Sequence, residues 1–156
     1  MHRLIPLIGL LAACTPSPPT VTGRASVIDG DTIEIHDQRI RLWGVDAPEG
    51  RQSCDDADGA AYACGRLSAN RLDQHLQDKT VSCFEEDTDR YGRMVARCEV
   101  DGEDLGAWLV RRGYAVRYDR YAGSAYVLEE RAARQDRAGI WAGAFTSPED
   151  WRRAHR

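Results

Sequence analysis

The stretch that decides the fold is residues 22–49, TGRASVIDGDTIEIHDQRIRLWGVDAPE. Two β-prone runs within residues 22–35 are separated by Asp29-Gly30-Asp31, and Asp-Gly between such runs is a strong signal for a tight turn. A third run, residues 39–45, alternates in part between apolar and polar side chains and stops before Pro48, which cannot continue a central strand. The segment therefore predicts three short consecutive strands, the first two joined by a tight turn.

The pattern changes after these strands. Residues 60–76 have helical spacing, with one apolar face made of Ala63, Leu67, Ala69, Leu72 and Leu76. Strand patterns return at residues 80–84 and 94–100, on either side of a turn near residues 89–92. Two more helices are expected at residues 105–112 and 125–138, and the glycines Gly113 and Gly139 follow them as favourable helix ends.

The predicted order is β-β-β-α-β-β-α-α. This order predicts an α+β, mainly β fold, a five-stranded barrel of the OB type with three helices. Order by itself favours the OB barrel only weakly, because other α+β folds share it.

Composition indicates one packed domain. The chain has 156 residues, of which 42% are hydrophobic and 29% charged, and this is ordinary for a folded soluble protein. Formal net charge is −4, so no global basic field attracts nucleic acid. The charge is uneven, however: residues 14–104 carry 10 basic and 19 acidic side chains, whereas residues 105–156 carry 10 basic and 6 acidic ones.

The N-terminus has the composition of an export signal. Residues 1–13, MHRLIPLIGLLAA, have a short basic start and an apolar run that is too short for a membrane anchor. The sequence Leu-Ala-Ala-Cys at its end resembles the lipobox of bacterial lipoproteins, which implies cleavage before Cys14 and its acylation. The alternative is an ordinary cleaved signal beside a chance cysteine. Residues 14–21 would form a proline-rich tether, residues 22–145 the folded domain and residues 146–156 a C-terminal tail. We expect a lipoprotein of the cell envelope, on the periplasmic side of the outer membrane, or else a secreted protein.

Four cysteines remain if Cys14 is lipidated, and an even number in an exported chain implies disulfides. Three pairings are possible. Cys83 and Cys98 flank a predicted turn and can face each other across a hairpin, in which case Cys54 and Cys64 close a short loop. Zinc binding is disfavoured because the spacings contain no Cys-x-x-Cys pair.

Three carboxylates are placed at predicted strand ends: Asp31, Asp46 and Glu49. Two of them can hold a hard divalent cation through oxygen, and the third can act as general base on water. Arg41 and Arg93 lie close to them in the pattern, and arginine stabilises the charge on a transferring phosphoryl group. Each residue alone has a simpler explanation as a turn or surface residue.

Three motifs together, VIDGDTI (27–33), RLWGVDAPE (41–49) and DRYGR (89–93), resemble the staphylococcal nuclease family, and the resemblance extends over residues 22–142. It implies that Asp31 and Asp46, with the backbone carbonyl of Ala47, bind calcium. Asp29 would then be a carboxylate that interacts with these ligands and does not bind the ion itself. The resemblance further implies the remaining roles: Glu49 as general base, Arg41 and Arg93 on the scissile phosphate, Tyr91 beside it, and Tyr118 or Tyr121 stacked on a base.

The same resemblance implies a calcium-dependent endonuclease, which we expect to be a monomer. Because stacking on a base tolerates any sequence, we also expect little sequence preference. Its substrates would be DNA and RNA, single strands preferred, with 3′-phosphate products. The alternative is an OB-fold module of the envelope that binds nucleic acid without cutting it. The chain departs from the best-known relative, which is basic and free of cysteine, because this chain is acidic and contains five cysteines.

Overall fold

A computed structural model describes residues 18–156. The predicted signal peptide, the predicted lipidation site Cys14 and residues 14–17 of the tether lie outside the described residues. Within residues 18–156, no helix is both long enough and apolar enough to cross a membrane.

Strands dominate the described part of the chain. They are β1 (Val21–Gly23), β2 (Ser26–Asp29), β3 (Thr32–Ile35), β4 (Gln38–Leu42), β5 (Val45–Asp46), β6 (Cys54–Asp55), β7 (Ala61–Tyr62), β8 (Val81–Thr88), β9 (Met94–Val100), β10 (Glu103–Asp104) and β11 (Val116–Arg117). The main sheet has the order β1-β8-β9-β4-β3-β2, with β10 paired to β9. Two small sheets, β5-β11 and β6-β7, complete the set in residues 18–156.

The helices are α1 (Cys64–Leu76), α2 (Leu105–Arg111), α3 (Asp119–Ala122), α4 (Val127–Gln135) and α5 (Pro148–Ala154), with a 3₁₀ turn at Gly139–Ala142. The described residues therefore contain five α-helices rather than the predicted three. Three of them match the predicted helices, and the two additional ones, α3 and α5, are short. The α+β, mainly β class is confirmed, and the mixed sheet fits the predicted OB-type barrel.

Tight turns connect the first strands. The Asp29 side chain accepts a hydrogen bond from the backbone N–H of Asp31 (3.1 Å) and stabilises the turn between β2 and β3. His36 and Asp37 have φ values of 50° and 62°, as the turn between β3 and β4 requires. Strand β4 then pairs in parallel with β9, so that Arg41 is in register with Val95. This pairing places the strand that carries Arg41 beside the strand that follows the DRYGR turn.

The core lies between the main sheet and the helices. Its fully buried side chains include Ile33, Ile40, Leu72, Val81 and Leu109. Burying each such side chain contributes roughly 1.5–3 kcal/mol. The core therefore fixes the strands whose ends carry the polar residues discussed below.

Both disulfides are formed. Cys83 and Cys98 face each other directly in the β8-β9 pair, and Cys54 is bonded to Cys64 at the start of α1. Of the three possible pairings, the structure has the one in which each bridge is local. The Cys54–Cys64 bridge closes the loop between β5 and α1.

The boundaries of the domain differ from the prediction at both ends. Val21, assigned to the tether, pairs with Cys83 in the sheet. Residues 146–156, expected as a tail, contain α5. That helix begins where the Ser147 side chain accepts a hydrogen bond from the Asp150 N–H (3.1 Å), and Pro148 occupies its first turn. The C-terminal residues are therefore part of the fold.

Candidate active site

A cavity of about 600 Å³ opens beside the ends of β3, β4 and β5. Nearly all of the predicted site residues line it: Asp29, Asp31, Arg41, Ala47, Glu49, Tyr91, Arg93, Tyr118 and Tyr121. The remaining one, Asp46, lies just behind the wall and is bonded to Arg41. The structure therefore brings together residues from four separate parts of the chain.

Arg41 connects the two predicted metal ligands. Its Nη1 donates to Asp31 Oδ1 (3.1 Å) and its Nη2 donates to Asp46 Oδ1 (3.2 Å). The second oxygen of Asp31 accepts a hydrogen bond from the Ala47 N–H (2.9 Å). This short network fixes both carboxylates against the loop that follows β5. The pairing of Val116 with Asp46 holds that loop from its other side.

Both carboxylates are nearly inaccessible: 5% of Asp31 and 1% of Asp46 is exposed. Burial raises the pKa of Asp31 above its ordinary value, and Arg41 opposes this while the neighbouring Asp29 adds to it. Burial likewise raises the pKa of Asp46, and repulsion by Asp31 acts in the same direction against the hydrogen bond from Arg152. Two buried carboxylates that repel each other form a site that attracts positive charge.

The donor chemistry around Asp31 and Asp46 fits a hard divalent cation. Two carboxylates and a backbone carbonyl supply only oxygen ligands, as calcium prefers. Within residues 18–156, no group of three or more His, Cys, Asp or Glu side chains is arranged to hold a metal ion. A cation here would therefore depend on two side chains, the Ala47 carbonyl and solvent.

Arg93 reaches the cavity from the turn before β9. Its Nε donates to Asp89 Oδ2 (2.7 Å), and its backbone N–H donates to the other oxygen of the same carboxylate (2.9 Å). Although burial alone would raise it, these hydrogen bonds together lower the pKa of Asp89 below its ordinary value. Because side chains alternate along a strand, residues 93 and 95 face the same side, which is the side of Arg41. Arg41 thus enters the cavity from β4, and Arg93 enters it from the turn that precedes the neighbouring strand β9.

The tyrosines surround the entrance to the cavity. Tyr91 and Tyr121 are 69% and 56% exposed, which is unusual for large aromatic side chains. The guanidinium of Arg90 lies 4.8 Å from the centre of the Tyr91 ring, and Tyr118 packs edge-on against Tyr121 at 5.0 Å. Exposed rings beside a cluster of charges form a surface for flat ligands.

Glu49 is held through its backbone by two residues that sequence analysis missed. The buried Gln52 side chain accepts a hydrogen bond from the Glu49 N–H (3.1 Å) and donates one to the Thr146 carbonyl (2.7 Å). Gly65, at the start of α1, lies so close to the Glu49 carbonyl that a Cβ at this position would overlap it. The loop that carries Glu49 is thus fixed between α1 and the segment before α5.

Arg152 on α5 is the third residue that the sequence analysis did not single out. Its guanidinium donates to both oxygens of Asp46 (2.8 and 3.0 Å) and to Glu49 Oε1 (2.7 Å). Burial alone would lower the pKa of Arg152, but the hydrogen bonds to Asp46 and Glu49 outweigh burial and raise this pKa above its usual range. Ser147 followed by Asp150 at a spacing of three is a capping signature that indicates a helix here. No local signal indicates that this helix reaches a site about a hundred residues away.

Replacing Gly65 with alanine is expected to lower kcat by about 10²-fold, since a displacement of about 1 Å near the reacting groups has that effect. The added methyl group would overlap the Glu49 carbonyl and displace the loop. The overpacking would also destabilise the fold by roughly 1–3 kcal/mol. Steady-state kinetics and thermal unfolding measure these two effects.

Gly50→Ala is the matched control, because it adds the same methyl group one residue from Glu49 in open space. Its kcat should equal that of the wild type. Equal rates for Gly65→Ala and Gly50→Ala would mean that the contact of α1 does not position Glu49.

Comparison with known proteins agrees with this geometry. The family described as "Staphylococcal nuclease homologue" matches residues 39–143, about two thirds of the chain. The chain belongs to the staphylococcal nuclease family. Membership of this family makes it a hydrolytic nuclease. The match covers Arg41, Asp46, Glu49 and Arg93, but Asp31 and α5 lie outside it.

Individual relatives cover more of the chain. It is 32% identical to an "Uncharacterized endonuclease" of Escherichia coli O157:H7 over all of this chain and 99% of that protein. It is 32% identical to a "Micrococcal nuclease" of Shigella flexneri over 83% of this chain and 79% of the relative. It is also 45% identical to the "Succinoglycan biosynthesis protein ExoI" of Rhizobium meliloti, over 78% of this chain and 64% of that protein.

Proposed function

We propose that this nuclease is a calcium-dependent endonuclease that cleaves single-stranded DNA and RNA with little sequence preference and leaves 3′-phosphates. We propose further that it acts as a monomer, exported and tethered to a membrane through Cys14. The observation that carries the catalytic proposal is that Arg41 joins Asp31 and Asp46 at the wall of the cavity that Glu49 also lines. A protein that only binds nucleic acid has no use for buried carboxylates that repel phosphate.

In this proposal, the carboxylates of Asp31 and Asp46 and the carbonyl of Ala47 hold the calcium ion. Bound there, calcium would supply Lewis-acid polarisation of a phosphoryl oxygen and orientation of water. Asp29 supports the site by stabilising the turn that carries Asp31. Proton transfer, stabilisation of the phosphate charge and substrate binding are assigned to side chains of the protein.

Glu49 acts as the general base that takes a proton from the attacking water. A side chain at the cavity wall with 35% of its surface exposed is accessible to water. Negative charge then grows on the equatorial oxygens of the phosphate. Arg41, on β4, and Arg93, in the turn before β9, both reach the cavity and donate hydrogen bonds to these oxygens. Their positions are fixed before substrate arrives, because carboxylates already hold both guanidinium groups.

Substrate is held at the entrance by the exposed tyrosines. Stacking of a base on Tyr91, Tyr118 or Tyr121 tolerates any sequence, because every base has a flat face. It also favours single strands, whose bases are free to stack. The net charge of −4 indicates that binding depends on local arginines, and affinity should fall steeply with salt.

The test uses the purified, oxidised full-length protein with labelled single-stranded DNA, RNA and duplex DNA. With calcium, we expect cleavage at many positions and product ends that phosphatase treatment converts to 3′-hydroxyls. With a chelator, we expect a rate near background, and magnesium should restore little of it. Isothermal titration with calcium alone, without nucleic acid, gives the metal affinity separately.

Each outcome has a clear meaning. Cleavage that persists in chelator would overturn calcium dependence. Binding of single-stranded DNA by the calcium-loaded protein without cleavage would favour an OB module that only binds. Faster cleavage of duplex DNA than of single strands would overturn the proposed substrate preference.

A further inference from the structure

Helix α5 brings a positive charge to the carboxylates proposed to bind calcium. Three hydrogen bonds of 2.7–3.0 Å join the Arg152 guanidinium to Asp46 and Glu49. Only 31% of the Arg152 side chain is exposed, and 2% of the Asp46 side chain. Charge-assisted hydrogen bonds of this kind are about twice as strong as neutral ones.

The contact uses the oxygens that a metal ion would need. Arg41 occupies only Oδ1 of Asp46, whereas Arg152 donates to Oδ1 and to Oδ2. A cation coordinated by Asp46 requires at least one of these oxygens and repels the guanidinium. A divalent ion coordinated by Asp46 and the contact of Arg152 with both Asp46 oxygens therefore cannot exist at the same time.

The neighbouring arginine on the same helix makes a different kind of contact. Arg153 pairs only with exposed carboxylates of its own helix, Glu149 at 3.8 Å and Asp150 at 3.2 Å. The two residues share the helix and the charge, and both line the cavity, but they differ in whether they contact Asp46 and Glu49. Arg152 is the residue of α5 that contacts Asp46 and Glu49, and the Gln52 bond to Thr146 holds the start of this segment in place.

We propose that Arg152 is an internal competitor of the divalent cation, so that α5 sets the calcium concentration at which the catalytic site assembles. The inference rests on the proposed calcium site at Asp31 and Asp46. When calcium binds, the Arg152 side chain leaves Asp46 and Glu49, and Glu49 becomes free to accept a proton from water. At low calcium, Arg152 holds both carboxylates and the site stays closed.

The experiment is calorimetric titration of calcium into the full-length protein without nucleic acid. Arg152→Gln should bind calcium about tenfold more tightly than the wild type, a difference of about 1.4 kcal/mol, which is less than one charge-assisted hydrogen bond contributes. Arg152→Lys keeps the charge without the two-pronged geometry and should have an intermediate affinity. Arg153→Gln should match the wild type.

Thermal unfolding provides a second measurement that does not depend on activity. Without calcium, Arg152→Gln should unfold at a lower temperature than the wild type, because Asp46 loses its main partner. Saturating calcium should raise its unfolding temperature by more than it raises that of the wild type. Arg153→Gln should show the calcium response of the wild type.

The failures of the two proposals are distinguishable. Equal calcium affinities in the wild type, Arg152→Gln and Arg153→Gln would overturn the competition and leave the calcium site intact. Calcium binding by Arg152→Gln alone would support strong competition. Absence of calcium binding in every folded variant would overturn the calcium site and the competition together.

Discussion

Glu49→Gln is expected to reduce kcat by about 10²–10⁴-fold, because that is the usual contribution of a positioned general base. Glutamine has the same shape, and its amide oxygen can still accept the Arg152 hydrogen bond at 2.7 Å. The loop should also persist, since Gln52 and Gly65 hold the backbone of Glu49 rather than its side chain. The measurement is the cleavage rate of saturating single-stranded DNA at saturating calcium.

The matched control is Glu34→Gln, which removes the same charge from β3 at a position outside the cavity. Its kcat should remain at the wild-type value. The rate of Glu49→Gln should rise with pH as hydroxide replaces the missing base. A Glu49→Gln enzyme within threefold of the wild-type rate, a margin far below about 10²-fold, would exclude Glu49 as the base.

The second large effect is expected for Arg41→Lys. Removing one preorganised donor to a developing oxyanion costs about 10²–10³-fold in kcat. Lysine keeps the charge but cannot donate to Asp31 and Asp46 at once from two nitrogens, as Arg41 does. The side chain of Arg41 is only 20% exposed, so water cannot readily replace the lost contact.

Arg39→Lys is the control on the same strand, because Arg39 is 63% exposed and pairs at 3.6 Å with Glu34 on the surface. Its kcat should not change. Single-turnover rates at saturating calcium separate the chemical step from metal affinity. If Arg41→Lys cleaves as fast as Arg39→Lys under these conditions, Arg41 has no role in stabilising the transition state.

Sequence was sufficient for the parts of the site that depend on local signals. Asp29-Gly30-Asp31 forms a turn because the Asp29 side chain accepts a hydrogen bond from the Asp31 N–H within the same three residues. The Cys83–Cys98 pairing follows from a hairpin whose register is set by one buried face. The assignments of Glu49, Arg41 and Arg93 to roles stay predictions, although the structure places all three residues in one cavity.

The residues that sequence analysis missed act across long distances. Gln52 looks like a polar loop residue, and only the tertiary structure explains its complete burial between Glu49 and Thr146. Position 65 requires glycine because the Glu49 carbonyl occupies the space that a Cβ would need. Local helix propensity does not reveal this contact. Arg152 lies 106 residues from its partner Asp46. Such contacts depend on how α1 and α5 pack, which no local pattern encodes.

The uneven charge of the sequence has a physical counterpart in the fold. The acidic N-terminal part supplies Asp46 and Glu49, and the basic C-terminal part supplies Arg152, which binds both. One basic side chain of the C-terminal part thus meets two acidic side chains of the N-terminal part at the site.

Helix α5 also has a practical consequence for anyone who purifies or engineers this protein. Arg156, two residues after the helix, lines the same cavity as Glu49. A polyhistidine tag fused after Arg156 would begin at the rim of the site and offer imidazole ligands for metal ions beside Asp46. Affinity tags, fluorescent labels and surface-coupling groups therefore belong on exposed loops remote from the cavity, such as the turn at Asp101-Gly102.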